Sequence, residues 1–154
     1  MNHLKRFALA LGLALITSTA FAQVPGYPSG CKDCVVYSWV DTPSDGDTVE
    51  ASNLTFEGWG FECFSGQVIN RVDVFYQDYD GFYRPLKQGD WTLTTGLPRQ
   101  DVQDAYSGHC RNVSTYTGWR LTLNNPPPPG LRRIAINIWR GPLFETHHRL
   151  YLIK

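Results

Sequence analysis

The chain has a single methionine, at position 1, and no stretch approaching the roughly twenty apolar residues that a membrane-spanning helix needs. It also lacks an excess of either charge: 14 Lys and Arg face 14 Asp and Glu. There is therefore no basic stripe of the kind that holds nucleic acid or an anionic membrane surface. No Gly-x-Ser-x-Gly elbow presents a nucleophilic serine. Cys31-Lys32-Asp33-Cys34 is followed by Val35 rather than the histidine that haem attachment requires. Long amphipathic helical patterns are missing as well, which excludes a helical bundle.

What is present begins with an export signal. Lys5 and Arg6 form a cationic start, 7–16 is an apolar run, and Ala20-Phe21-Ala22 offers a small-residue cleavage site. Cleavage after Ala22 leaves twelve basic against fourteen acidic residues, a near-neutral chain expected to be soluble in a bacterial periplasm or outside the cell. Residues 23–33, rich in Pro, Gly and Ser, read as an extended leader, and 34–154 as one domain large enough to bury a real core.

All four cysteines fall in the exported part, where an oxidising compartment favours two disulfides. Three connectivities are open, and Cys31 with Cys34 and Cys63 with Cys110 is the expected one. A redox role for Cys31 and Cys34 would need a helix N-terminus to lower a thiol pKa, whereas a strand pattern follows.

The 14 Gly, 8 Tyr, 8 Phe and 5 Trp suit strands and turns. Runs at 35–40, 54–63, 68–76, 82–86, 118–123, 133–140 and 148–153 carry strand signals, and 91–95 a shorter one. In the best of them Val72, Val74 and Tyr76 alternate with Arg71, Asp73 and Phe75. Asp80-Gly81 favours a hairpin turn, and Pro85 pushes the returning strand to a sheet edge. The glycines flanking Trp59 imply a bulge or close packing. Residues 100–106 suit one or two helical turns, and the four prolines at 126–129 stiffen a connection. About seven short strands with turn chemistry between them predict an all-β, antiparallel sandwich of immunoglobulin-like type, with a small closed barrel as the alternative.

Five pieces in order, Asp45-Gly46-Asp47-Thr48-Val49, Gly58-Trp59-Gly60-Phe61, Val68-Ile69-Asn70-Arg71-Val72-Asp73-Val74, Arg99-Gln100-Asp101-Val102 and Gly118-Trp119-Arg120-Leu121, resemble bacterial immunoglobulin-like domains of secreted and cell-surface proteins. The chain departs from that pattern at Gly60, where Ala is usual, and at Gln100, where Pro is usual. The resemblance implies a fold and a spacer, accessory or adhesive role, and carries no catalytic residue across.

No catalytic residue, cofactor or metal is expected. His147 and His148 with Glu145 and His109 are of the types that bind zinc or copper. Adjacent strand residues, however, point to opposite faces, so at most one of the two histidines joins a given site. Asp45, Asp47 and Glu50, and Asp78 with Asp80, read as turn-forming carboxylates rather than calcium ligands. The aromatics are the most informative polar-apolar groups. Trp139 points away from Ile134, Ile136 and Ile138 and is expected to be exposed, and Tyr79, Phe82 and Tyr83 mark a hairpin tip. The expectation is a non-catalytic exported binding or interaction module for a protein or glycan ligand, with exposed aromatics as its binding surface. A carbohydrate-binding module and, behind it, a periplasmic enzyme or metal carrier are the alternatives.

Overall fold

The computed structural model describes residues 34–154. The expected signal peptide, the leader and Cys31 lie outside the described residues. Among the described residues nine strands and one α-helix follow in order: β1 (Val36–Thr42), β2 (Thr48–Val49), β3 (Thr55–Glu62), β4 (Arg71–Gln77), β5 (Tyr83–Pro85), β6 (Trp91–Leu97), α1 (Gln100–Tyr106), β7 (Gly118–Leu123), β8 (Gly130–Arg140) and β9 (Leu143–Ile153). They form a four-stranded sheet, β1-β3-β7-β6, and a five-stranded sheet, β2-β9-β8-β4-β5. Eight of the nine strands overlap runs read from the sequence, 82–86 becoming β5 and 91–95 becoming β6, and the two-residue β2 is the one addition. Neighbours are antiparallel except β2 and β9, which are parallel.

The alternation read in the sequence is what makes the core. Val36, Val40, Phe56, Trp119, Leu121 and Leu123 from one sheet meet Val72, Val74, Ile134, Ile136, Ile138, Tyr151 and Ile153 from the other. This is the two-layer solution open to sheets with one apolar face each. Pro85 does stand on an edge strand, since β5 closes the five-stranded sheet. Gly81 has φ +83 in the β4–β5 turn, a conformation glycine adopts without steric cost.

The glycines around Trp59 serve close packing. A Cβ on Gly60 would lie 2.7 Å from Ile69 Cγ2 and 3.2 Å from Ser38 Cβ, which explains the absence of Ala there. Opposite Gly58, Trp119 turns inward and is buried.

Two elements differ from expectation in their limits. β4 starts at Arg71 because Val68 makes only an isolated bridge to Phe61. β9 starts at Leu143 rather than His148, because Gly141 at φ +55 turns the chain tightly enough to pair Leu143 with Arg140. The longer β9 carries Glu145 and His147 into the sheet.

A second, smaller core lies on the outer face of the four-stranded sheet. Val102 of α1 packs there with Phe61 and Val113, and the Cys63–Cys110 disulfide, expected from the sequence, closes it. Among the described residues no cysteine is free. Arg99, at the head of α1, bonds both Asp101 and Asp41, so it pins the turn to β1. These carboxylates, the Asp101 hydrogen bond foremost, hold its guanidinium charged well beyond the usual range.

Candidate ligand-binding face

The outer face of the five-stranded sheet carries the side chains that alternate with the core. Three cross-strand rows order it. Arg71, Trp139 and Phe144 form the first, Asp73, Asn137 and Thr146 the second, and Pro85, Phe75, Ala135 and His148 the third. Tyr83 sits beyond the third row, opposite Gln77.

Trp139 points outward as its alternation requires, but it is half-buried rather than exposed. Phe144, its direct partner on β9, stacks on it with centroids 4.2 Å apart, and the Arg71 guanidinium lies 4.9 Å from the ring. The early start of β9 supplies this cover. The exposed member of the pair is Phe144, at 52%.

The hairpin aromatics are exposed: Tyr79 at 81%, Phe82 at 69% and Tyr83 at 39%. They are held differently. Tyr79 has the Arg132 guanidinium 3.9 Å from its ring centroid and donates its hydroxyl to the Pro129 carbonyl. Buried Arg132 donates to the carbonyls of Pro128 and Pro129, so the proline-rich connection and the hairpin tip are clamped together. Tyr83 reaches the other way. Its hydroxyl lies 3.2 Å from His148 Nδ1 on β9, with β4 and β8 between their strands. Three strand spacings of about 4.8 Å separate β5 from β9, so the phenol must lie along the sheet surface rather than stand out from it. Its ring meets the His148 ring at 5.8 Å with the planes tilted by 59°.

At the open side of the sandwich, β1 and β9 run past each other, and a polar cluster fills the seam. Ser38 Oγ donates to Glu145 Oε2 at 2.6 Å and lies 2.9 Å from His147 Nε2. The hydroxyl has one hydrogen, which the carboxylate takes, so the imidazole contact is Nε2–H donating to Oγ. That tautomer cannot accept the serine proton, and Ser38 itself is buried. The arrangement is a hydrogen-bonded clasp between the two sheets. Trp39, 51% exposed, covers the clasp: the His147 ring meets it edge-on at 5.8 Å, and Arg149 stacks on it at 5.0 Å.

Burial holds the His147 pKa below its usual value, Glu145 opposing and Arg149 and His148 reinforcing the shift. The unfolded chain therefore binds the proton first as pH falls. Stability is expected to be full above about pH 6.5, the free imidazole value, and to decline below it, before carboxylates titrate. Thermal unfolding of wild type and His147→Gln between pH 7.5 and roughly 5 checks this, using the ordinary range of histidine titration. The wild-type midpoint should drop more steeply than the variant's, and parallel profiles would show that His147 is not the titrating group.

The same geometry places the metal candidates. His147 faces inward and His148 outward, as expected of strand neighbours. His109 is exposed beyond α1, and the third partner of Glu145 and His147 is Ser38. Among the described residues no three His, Cys, Asp or Glu side chains group together as metal ligands. Asp45 accepts the Leu150 N–H and Asp47 the Ser44 N–H; Asp78 and Asp80 accept turn N–H groups and pair with Arg84. Asp47, Asp78 and Asp80 hold their own turns, and Asp45 ties its turn to β9.

Ser38, Arg133 and Arg149 were not singled out by the sequence, whereas Trp39 was among the aromatics read as a possible exposed platform. A serine at a core-facing position between Val36 and Val40 was the available signal for the clasp. No family model matches the chain, and comparison with curated proteins finds no match.

Proposed function

We propose that this protein is an exported, non-catalytic binding module of immunoglobulin-like type that holds a glycan on the outer face of its five-stranded sheet. The strand order supports the fold reading. Naming the strands by position, β1-β3-β7-β6 follows the A-B-E-D order of one immunoglobulin sheet, and β9-β8-β4-β5 follows G-F-C-C′ of the other. The disulfide departs from that pattern, since Cys63 ends the B strand while Cys110 lies before the E strand rather than on F. Export is supported by the signal-like segment 1–22 and by the Cys63–Cys110 bridge, which suits an oxidising compartment. No helix among the described residues is long and apolar enough to cross a membrane.

The observation that carries the glycan reading is the Tyr83 ring laid across the sheet with His148 fixing its hydroxyl. A fixed, exposed aromatic offers the apolar face of a sugar ring a stacking surface at low entropic cost. Asp73, Asn137 and Thr146, in the next row, supply groups that hydrogen-bond sugar hydroxyls. Binding to an array of oligosaccharides, followed by calorimetry on those retained, tests this. Tyr83→Ala is expected to weaken binding about tenfold, the worth of roughly 1.4 kcal/mol, with an unchanged unfolding midpoint. Retention of full affinity by this variant, or the absence of any bound glycan, would overturn the reading.

A further inference from the structure

Beside Tyr83 the sheet edge holds a small cleft of about 160 Å³ lined by Asp45, Arg133, His148, Arg149 and Leu150. Its charges are unbalanced in one direction. Elsewhere on this sheet arginines meet carboxylates: Arg71 bonds Asp73, and Arg84 pairs with Asp78 and Asp80. Among the described residues neither Arg133 nor Arg149 has a carboxylate within 4.0 Å, the limit for an ion pair. The one acid of the cleft, Asp45, accepts the Leu150 N–H at 2.6 Å and keeps its charge, so two guanidiniums stand against one carboxylate. One of the two guanidiniums is also positioned. Arg149 stacks on Trp39 and donates to the His148 carbonyl, while the His148 ring is fixed by Tyr83.

We propose that this cleft is an anion subsite, taking the carboxylate or sulfate ester of an acidic saccharide whose ring stacks on Tyr83. The inference rests on the glycan reading above and adds the substituent that the ligand carries. Guanidinium groups present planar, paired donors that match carboxylate and sulfate oxygens, and two of them without internal acids leave those donors for a ligand. The cleft is smaller than the roughly 300–1,000 Å³ of a pocket that engulfs a ligand, so it suits one charged substituent while the sugar rings remain on the open sheet. Tyr83 and His148 link the two parts physically, because the hydrogen bond that lays the phenol down also sets the cleft wall.

Calorimetry with the intact mature protein tests the proposal, using oligogalacturonate, a sulfated oligosaccharide of matched length, a neutral galactose oligosaccharide and oligoglutamate as probes. At least one acidic saccharide is expected to bind about tenfold tighter than the neutral one, and to lose that advantage in high salt as exposed charge contacts do. Arg133→Glu, at an exposed position, and the double variant Arg133→Ala with Arg149→Ala should each abolish the preference while leaving neutral binding unchanged. Tyr83→Ala should weaken both classes together. If acidic and neutral saccharides bind equally and the arginine variants change nothing, the subsite is refuted and the glycan reading survives. If no saccharide binds at all, both fail. Oligoglutamate bound as tightly as the acidic saccharides, and unaffected by Tyr83→Ala, would identify an acidic peptide as the partner and overturn the proposal.

Discussion

Replacing Cys63 and Cys110 together by serine is expected to lower the unfolding midpoint by roughly 12–20 °C, the consequence of losing about 4 kcal/mol. The magnitude follows from chain entropy. The bridge spans a sequence separation of 47, and cross-linking residues that far apart removes many conformations from the unfolded chain. The local structure adds a reason to expect the full effect. The bridge ties the end of β3 to the segment after α1, and α1 has only seven residues, too few to be helical without tertiary support. Its buried anchor is Val102, set against Phe61 and Val113 and flanked by Trp59 and Tyr106. Loss of the bridge should therefore loosen this satellite core first. Near-ultraviolet circular dichroism, which reports the packing of Trp59 and Tyr106, should change before the main transition, while the far-ultraviolet sheet signal persists. A midpoint change of only a few degrees would mean that the satellite core holds itself together without the covalent link.

Gly58→Ala is the second large effect, expected to cost about 3 kcal/mol or more, at or beyond the upper end of overpacking in a core. A Cβ built on Gly58 overlaps the backbone carbonyl oxygen of Trp39 on the neighbouring strand and comes within 2.7 Å of Trp119 Cζ2. Neither obstacle can yield cheaply. The carbonyl belongs to the β1–β3 ladder, and Trp119 is buried across the sandwich from the other sheet. Gly60→Ala makes the informative comparison. Its nearest obstacles are side-chain atoms of Ile69, Ile138 and Ser38, the closest at 2.7 Å against an overlap with a backbone oxygen for Gly58, so it should cost less. Chemical denaturation of both variants measures the order, Gly58 above Gly60. Equal costs would show that the glycines are required for sheet geometry in general rather than for the specific approach of Trp39 and Trp119.

These two variants disturb the frame on which the proposed face is built, whereas Tyr83, Arg133 and Arg149 stand on the surface of that frame. Changes at the latter positions are expected to alter binding with little change in stability, because exposed substitutions away from caps and cores usually fall within about 0.5 kcal/mol. Arg149 is the partial exception, since its guanidinium lies on Trp39 and thereby covers the Ser38–Glu145–His147 clasp. Arg133→Glu carries the subsite test for that reason.

The amino-acid sequence by itself determined the features that depend on a few neighbouring residues. Period-two alternation placed Val72, Val74, Ile134, Ile136 and Ile138 in the core, and the turn at 78–81, the edge position of Pro85 and the helical turns at 100–106 followed from local dihedral and hydrogen-bonding preferences. Outward orientation of Trp139 was legible for the same reason. Tertiary structure alone decided what covers an outward side chain and which distant groups meet. Phe144 covers Trp139 because the β8–β9 register places them opposite one another. Ser38 finds Glu145 and His147 across separations of 107 and 109 residues because two sheets stack there. Tyr83 and His148, and Arg133 and Arg149, converge through strand order. Strand order and sheet stacking are set by the total burial of both apolar faces, a sum over the whole chain that no local segment contains.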